Sequence, residues 1–576
     1  MRPIRWVQTS RGAASLLHER ESATLLSRKV RLSDTLSLTH LPPGELNLKR
    51  RFKTENLRSA ALALLVALLL ANVAAWPGSS ANAAAAKDKP KDGDHRDARK
   101  AMRDGKYDEA ARIYEALVAI NADDVKARLG ASFAYLKLMD YARCLGAASE
   151  VLKIQPSNAR AHALAGVALL RSGYVGPASA ELKLSATLDS RESLAYGGAA
   201  EVDYYEGRLN ESRRKALVAV RLDPNEPDYV ITYARASSRA EDFKEAADAY
   251  ELFLEISPES DSERRDRIRG LIAFYRRLSG LRVHQLVGTE VSELPFYLGS
   301  DRRPYIRVKL NGRTAVFVID TGSGFTVISQ EAAKSFGVSE IAKGGKSQGV
   351  GGTGKFPIVY GLIRSLEIGS STVRMVPCFI RTFHGDVGRP SEERADGFIG
   401  LSILSHFIAE LDYNERMLRL DRRSESSLPP AGAGITVIPF RTTQNGLISI
   451  EAELDGKKTI NAILDSGASS MVISTAAVER LKMDDQIIKG ETRSVIGAAG
   501  VTPNVEMLFI RNCRVADLHQ SNLNALILDL TALNETSGFE QSGILGGDFL
   551  RHFRLTIDFS RAQLAFQRPT TTPAKR

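Results

Sequence analysis

The sequence has little cysteine: three in 576 residues, Cys144, Cys378 and Cys513. Thiols that few and that far apart make no disulfide framework and no Cys-x-x-Cys ligand pair. A disulfide-stapled scaffold and a zinc ribbon are both excluded, and each cysteine is expected to be a small buried side chain. His-Glu-x-x-His and the P-loop pattern are also missing. That removes the usual signatures of zinc peptidases and nucleotidases. No metal site and no cofactor is expected. "GVGGTG", Gly349 to Gly354, lacks a βαβ setting and a downstream ribose-binding acid, so it does not read as a dinucleotide loop.

Nor is there a long basic stripe. The formal charge is +10, but residues 1–58 alone hold 12 Lys and Arg against 5 Asp and Glu, which is +7 of it. The rest is nearly balanced, which argues against nucleic acid as a partner. Directly after this basic segment comes a charge-free apolar run, "SAALALLVALLLANVAAW", Ser59 to Trp76. It is about long enough to span a bilayer, with the positive charge on the side assigned to the cytoplasm. Ala81-Asn82-Ala83 fits a small-residue cleavage site. Export to a periplasmic or extracellular space is expected. The run is either a cleaved signal or a membrane anchor.

After an Ala/Lys/Asp-rich linker, a repeat begins. Pro156, Pro224 and Pro258 are spaced by 68 and 34 residues. Small residues recur at Ala98, Ser132, Gly166, Ala200 and Ala234, and at Ala110, Cys144, Ala178, Ser212 and Ala246. Aromatics recur at Tyr107, Tyr141 and Phe243, and at Tyr114 and Tyr250. "GKYDEAARIYEAL" and "EDFKEAADAYELF" are the clearest copies. A 34-residue period of paired helices resembles the tetratricopeptide repeat family. Five units over about 91–260 are expected, with "DSERRDRIRGLIAFYRRL" as the polar end of the stack. The resemblance implies a concave face suited to a protein partner.

From about Leu281 short β-branched runs alternate with Gly and Asn turns. "VFVIDTGSGFTVIS", Val316 to Ser329, recurs as "NAILDSGASSMVIS", Asn461 to Ser474, 145 positions on. "LNGR" and "LDGK" precede the two copies as turn signals. Phe398-Ile399-Gly400 and Ile544-Leu545-Gly546 lie downstream of Asp320 and Asp465, with the glycines at 80 and 81 positions and glycine-rich segments between in register. Each copy reads strand, Asp-[Thr/Ser]-Gly, Gly-rich hairpin, apolar-apolar-Gly, helix, strand.

This duplicated pattern resembles the aspartic peptidases: each copy is similar to a retropepsin-type lobe, and the pair to the two-lobed pepsin arrangement. The resemblance implies a catalytic dyad, Asp320 and Asp465, sharing one proton because two close carboxylates cannot both ionise cheaply. It implies support from Thr321, Gly322, Ser323, Ser466 and Gly467, with the two hydroxyls bonding across to the opposite loop. Phe398, Ile399, Gly400, Ile544, Leu545 and Gly546 would pack beneath the loops. Gly351, Gly352, Gly354, Gly497 and Gly500 would form flaps over a peptide. Ser323 corresponds to Ala468 in the other copy, so the two carboxylates are expected to differ in their outer contacts. Tyr360 is read as a strand residue rather than a flap tyrosine. His406 and His552, at equivalent places, are read as packing residues.

The fold class is therefore an all-α repeat solenoid followed by an all-β double-lobed aspartic-peptidase fold. The domains are 1–58, a basic segment expected to be disordered; 59–76, signal or anchor; 77–94, linker; 95–280, solenoid with capping helix; 290–422, lobe one; and 434–568, lobe two. Two functional readings compete: an aspartic endopeptidase acting on protein or peptide, or a peptide-binding scaffold that keeps the fold without cleaving. With both lobes in one chain, a monomeric catalytic unit is expected.

Overall fold

The structure, a computed structural model, describes residues 92–568 except 353, 384–393, 424–427, 433 and 457. The basic segment, the apolar run and nearly all of the linker lie outside the described residues. The linker's last three positions already belong to the first helix. No helix among the described residues is long and apolar enough to cross a membrane.

Helices come first: α1 (Asp92–Arg103), α2 (Tyr107–Ile120), α3 (Val125–Lys137), α4 (Tyr141–Ile154), α5 (Ala159–Arg171), α6 (Val175–Leu188), α7 (Ser193–Tyr205), α8 (Leu209–Leu222), α9 (Pro227–Arg239), α10 (Phe243–Ile256) and α11 (Ser262–Leu278). They form five stacked hairpins and a final helix. Local chemistry sets their starts. Asp124, Asp140, Asn158 and Asp261 each accept the backbone N–H three residues on, at 2.9–3.0 Å, satisfying a donor that the helix leaves unpaired. Pro156, Pro224 and Pro258 fall in the loops after α4, α8 and α10, where no helical N–H is needed. The small columns lie where helices touch: Ala98, Ser132, Ala200, Ala234, Ala110, Cys144, Ala178, Ser212 and Ala246 are all fully buried. A Cβ on Gly166 would lie 2.8 Å from Leu182 Cγ.

The expected polar end is a different object. Tyr275 of α11 stacks on Phe243 and Tyr250, but Phe274 stacks on Tyr360 of the first lobe at 4.3 Å and 17°. Gly270 of α11 meets Gly344 backbone to backbone, so closely that a Cβ on either would come within 2.2 Å of the other's Cα. The helix packs on the array and on lobe one while keeping a charged, exposed face, and Tyr360 is a packing residue of this joint.

The lobes share one plan. In lobe one, strand Arg313–Ile319 pairs antiparallel with Pro304–Leu310 and parallel with Gly397–Ile399, which also pairs with Thr326–Ser329. In lobe two, Lys458–Leu464 lies between Ile448–Leu454 and Gly543–Leu545, and the latter pairs with Val472–Ser474. Asn311 and Gly312 turn the first hairpin with φ of 50° and 84°; Asp455 and Gly456 do the same in lobe two at 51° and 78°, as primed turns require. Ser329 and Ser474 cap the next helices, accepting from Ala332 and Ala477 N–H at 3.0 and 3.1 Å. The lobe-one sheet starts ahead of residue 290, because Gln285–Gly288 pairs with the strand Ser371–Arg381.

A third, six-stranded sheet joins the lobes, three strands from each. At its centre Ile408–Asp412 pairs antiparallel with Arg554–Asp558, and Glu410 sits opposite Thr556. These two are equivalent positions of the duplication, so a local two-fold relation passes between them. Leu411, Leu418, Leu555, Ile557 and Phe566 are buried there, each contributing roughly 1.5–3 kcal/mol relative to exposure. This shared sheet fixes the two Asp loops face to face.

Candidate active site

Asp320 and Asp465 each come directly after the last residue of a buried central strand. Their backbone N–H groups are held alike: Asp320 N donates to Ile399 O and Asp465 N to Leu545 O, both at 3.0 Å. Asp320 is buried and Asp465 half-buried, and the two carboxyls lie close enough to act on each other. Desolvation first, then the charge of Asp320 and hydrogen bonding with it, hold Asp465 well above the ordinary carboxylate range. Asp320 accepts from Gly322 N at 2.9 Å and from the Ser323 hydroxyl at 2.7 Å. Asp465 accepts from Gly467 N at 2.8 Å and Ala468 N at 3.0 Å. The Ser323/Ala468 difference thus gives one carboxylate a hydroxyl donor and the other a second amide.

Thr321 and Ser466 lock the loops to each other. Thr321 Oγ1 donates to Leu464 O and Ser466 Oγ donates to Ile319 O, both at 2.7 Å. Each hydroxyl also accepts the other residue's backbone N–H, at 2.9 and 3.0 Å. Four buried hydrogen bonds therefore set the gap between the acids. Glycine at 322 and 467 is a spatial requirement: a Cβ on Gly322 would lie 2.2 Å from Asp465 Cγ, and one on Gly467 would lie 2.5 Å from Asp320 Oδ1.

The apolar-apolar-Gly segments divide their work by strand alternation. Ile399 and Leu545 lie fully buried beneath the loops. Phe398 and Ile544 instead line the cleft, a correction to the expectation that they pack underneath. Gly400 and Gly546 admit the carbonyls of Phe325 and Ser470, which a Cβ would approach to 2.2 and 2.4 Å.

Two hairpins cover the acids, one from 339–368 and one from 487–515. Their tips meet: Ala498 N donates to Val350 O at 2.9 Å, Ala499 N to Gly351 O at 3.0 Å, and Gly352 N to Thr502 Oγ1 at 2.7 Å. Gly351 and Gly352 take φ of 76° and 81°, and any side chain on Gly497 would strike Val350 O. Gly354 and Gly500 lie beside the same joint, against Ala499 O and Gly352.

Beneath the flaps lies a cavity of about 1950 Å³. Asp320 and Asp465 line it together with Phe133, Lys137, Glu201 and Tyr204 from the inner helices of the repeat array. The array is fastened over the cleft at both rims. Arg171 donates to Gly538 O at 2.8 Å and Tyr204 to Gln444 O at 2.9 Å on lobe two; α11 holds flap one through Gly344 and the Lys355–Glu263 pair at 2.8 Å.

Sequence reasoning misses several residues. Arg381 lines the cleft with its guanidinium over Phe356, Phe383 and Phe398 at 5.6–6.0 Å. Its Nε is buried without a hydrogen-bond partner, and burial lowers its pKa despite nearby Asp320. Asp548 Oδ2 accepts from Met471 N at 2.9 Å, steadying the second loop. The reading of His406 as a packing residue is incomplete: it faces His284 at 4.6 Å between ring centres, with Glu241 beside both. Burial and His284 push the His406 pKa down to about 4. His552, its equivalent, is exposed. All three cysteines are free and buried.

Comparison with known proteins agrees with this architecture. The aspartyl protease family model matches residues 306–403 and again 450–549, one match to each lobe. A tetratricopeptide repeat model matches residues 101–170. A search of curated proteins gives no match. Among solved structures, TTC0263, a thermophilic TPR protein of Thermus thermophilus, is similar at 20% identity and a TM-score of 0.28, over 31% of this chain and 97% of that one. YrrB, a TPR protein described as having an unusual peptide-binding site, is similar at 15% identity and 0.21, over 33% and 93%. The chain thus carries a tetratricopeptide solenoid followed by a two-lobed aspartic-protease fold.

Proposed function

We propose that this protein is an aspartic endopeptidase that hydrolyses extended peptide segments with an activated water. The observation that carries the reading is the pair of facing carboxyls held by the reciprocal Thr321–Ser466 lock, with glycine at 322 and 467 lying against the opposite acid. Asp465 holds the shared proton. Asp320, as carboxylate, takes a proton from a water lying between the two acids while that water attacks the scissile carbonyl carbon. Asp465 donates its proton to the carbonyl oxygen as charge develops there. Collapse of the tetrahedral species returns the oxygen's proton to Asp465. Asp320 passes the proton it took to the departing nitrogen, restoring the starting state.

The flap joint excludes water, and it has to open to admit a chain. The array's inner face is continuous with the cleft, which supports a role in receiving the substrate or a protein partner. Arg381 supports a preference for an acidic side chain near the scissile bond, since no carboxylate among the described residues pairs with it. The apolar run 59–76 and its basic flank support export or membrane anchoring of this activity.

The test is binding of a peptide in which a secondary alcohol replaces the scissile amide, so that it imitates the tetrahedral species. It should bind far more tightly than its amide parent, and Asp320→Asn should abolish the difference. Equal binding of alcohol and amide would remove the transition-state argument.

A further inference from the structure

Away from the acids, three side chains from three segments converge. Glu241 lies just after α9, His284 in the connection between array and lobe one, and His406 just after the short helix Leu401–Leu404 behind the first Asp loop. One ligand atom of each lies within 4.8 Å of the other two. His284 Nδ1 is 2.7 Å from Glu241 Oε1. Its side chain is only 8% exposed, and its Nε2 is buried without any hydrogen-bond partner. His406 Nε2 stands 3.6 Å from Glu241 Oε1, beyond ordinary hydrogen-bond length.

Two imidazoles this close cannot satisfy each other unless one gives a hydrogen bond, and no such bond joins them. Burying a polar nitrogen without a partner costs free energy. A divalent cation held by one nitrogen of each ring relieves the crowding of the two imidazoles, because it accepts their lone pairs and neutralises Glu241. Two imidazoles and a carboxylate suit zinc and related borderline metals. Three protein ligands leave a position open, and all three residues line the shared cavity.

We propose that Glu241, His284 and His406 form a zinc-type metal site that clasps the repeat array to lobe one. The sequence conceals it because the ligands lie 43 and 122 positions apart and match no spacing motif. His406 reaches the Asp320 loop through the helix Leu401–Leu404, where Leu401 N donates to Ser323 O at 2.8 Å. Metal binding therefore fastens the array beside the cleft. The proposal does not depend on peptidase activity.

The experiment uses untagged full chain, stripped with a chelator and titrated with zinc chloride. One zinc per chain is expected, with a rise in melting temperature that the chelator reverses. His284→Ala and His406→Ala should weaken binding by at least about tenfold to a hundredfold, while His552→Ala should bind as the parent does. Cobalt(II) gives a second reading: ligand-field bands from a two-imidazole site should vanish in His406→Ala. Melting curves of the stripped variants check that they are folded. No stoichiometric zinc in the parent, or equal zinc in parent and both folded histidine variants, would overturn the proposal.

Discussion

Thr321 and Ser466 lie 145 positions apart, yet each donates its hydroxyl to a carbonyl of the other's strand and accepts the other's amide. The lock is reciprocal and fully buried, so removing one hydroxyl leaves a carbonyl and an amide unpaired together. Thr321→Ala should lower unfolding stability by roughly 2–4 kcal/mol and cut kcat, whereas Thr321→Ser should restore most of both. Denaturant unfolding and peptide turnover are the measurements. An alanine variant as stable as the parent would show that the lobes need no such lock.

Gly322 touches both acids: its N–H donates to Asp320, and its missing side chain would point at Asp465. Because a Cβ there would overlap the Asp465 carboxyl, Gly322→Ala should displace that carboxyl by a fraction of an ångström to an ångström. A loss of about a hundredfold in kcat is expected, with little change in KM. A matched substitution at Gly312, whose Cβ would meet nothing, should spare kcat, although its left-handed turn makes it costlier in stability.

The raised pKa of Asp465 makes a signed prediction for stability. A carboxyl whose folded pKa exceeds its unfolded value stabilises fully below the unfolded value, about 3.9, and loses that contribution as pH rises through the folded value. Asp465→Asn has no proton to lose. Its unfolding free energy should therefore gain on the parent's as pH rises above about 4, at up to about 1.4 kcal/mol per pH unit, read from denaturant unfolding. Parallel pH profiles would contradict the buried dyad. Activity should likewise fall as pH rises through the raised value, leaving a working range that extends above that of an ordinary carboxyl.

In the array, Lys137 of α3 lies half-buried between Glu226 and Asp228 at the start of α9, 2.7 Å from Asp228 Oδ2. Desolvation pushes both acids up and Lys137 pulls both down, and the balance differs: Glu226 ends raised and Asp228 lowered. Lys137→Met should cost about 3–5 kcal/mol by leaving Glu226 without its cation, while Asp228 keeps Arg264 at 3.6 Å. Adding Glu226→Gln should recover part of the loss. Thermal unfolding of the three proteins decides it.

Arg381 offers a guanidinium to the cleft. Arg381→Met should reduce kcat/KM for peptides with an acidic residue near the scissile bond by about 10- to 100-fold, the worth of one charged hydrogen bond. Peptides with an apolar residue there should be cut as well or better. Uniform loss across both sets would assign Arg381 to structure.

The repeats and the duplication are legible in the sequence because each leaves a periodic trace. A 34-residue step marks small residues at helix contacts, such as Ala110 and Ala246, and a 145-residue step marks two identical loop problems. Ile399 and Leu545 are legible for the same reason. The docking of distant parts leaves no period. Gly270 and Gly344 meet backbone to backbone, and neither neighbourhood differs from an ordinary helix or strand. Arg381 looks like any strand arginine until the fold stacks it on three phenylalanines. Phe398 is misread when a three-residue strand is treated as one-sided, although alternate side chains face opposite ways.

The central claim is tested most directly by incubating purified full chain with a diverse peptide library across acidic to neutral pH, beside Asp320→Asn and Asp465→Asn. The account predicts cleavage at internal bonds by the parent and none by either variant, all three remaining folded. No cleavage by the parent at any pH, or the same fragments from parent and variants, would contradict it.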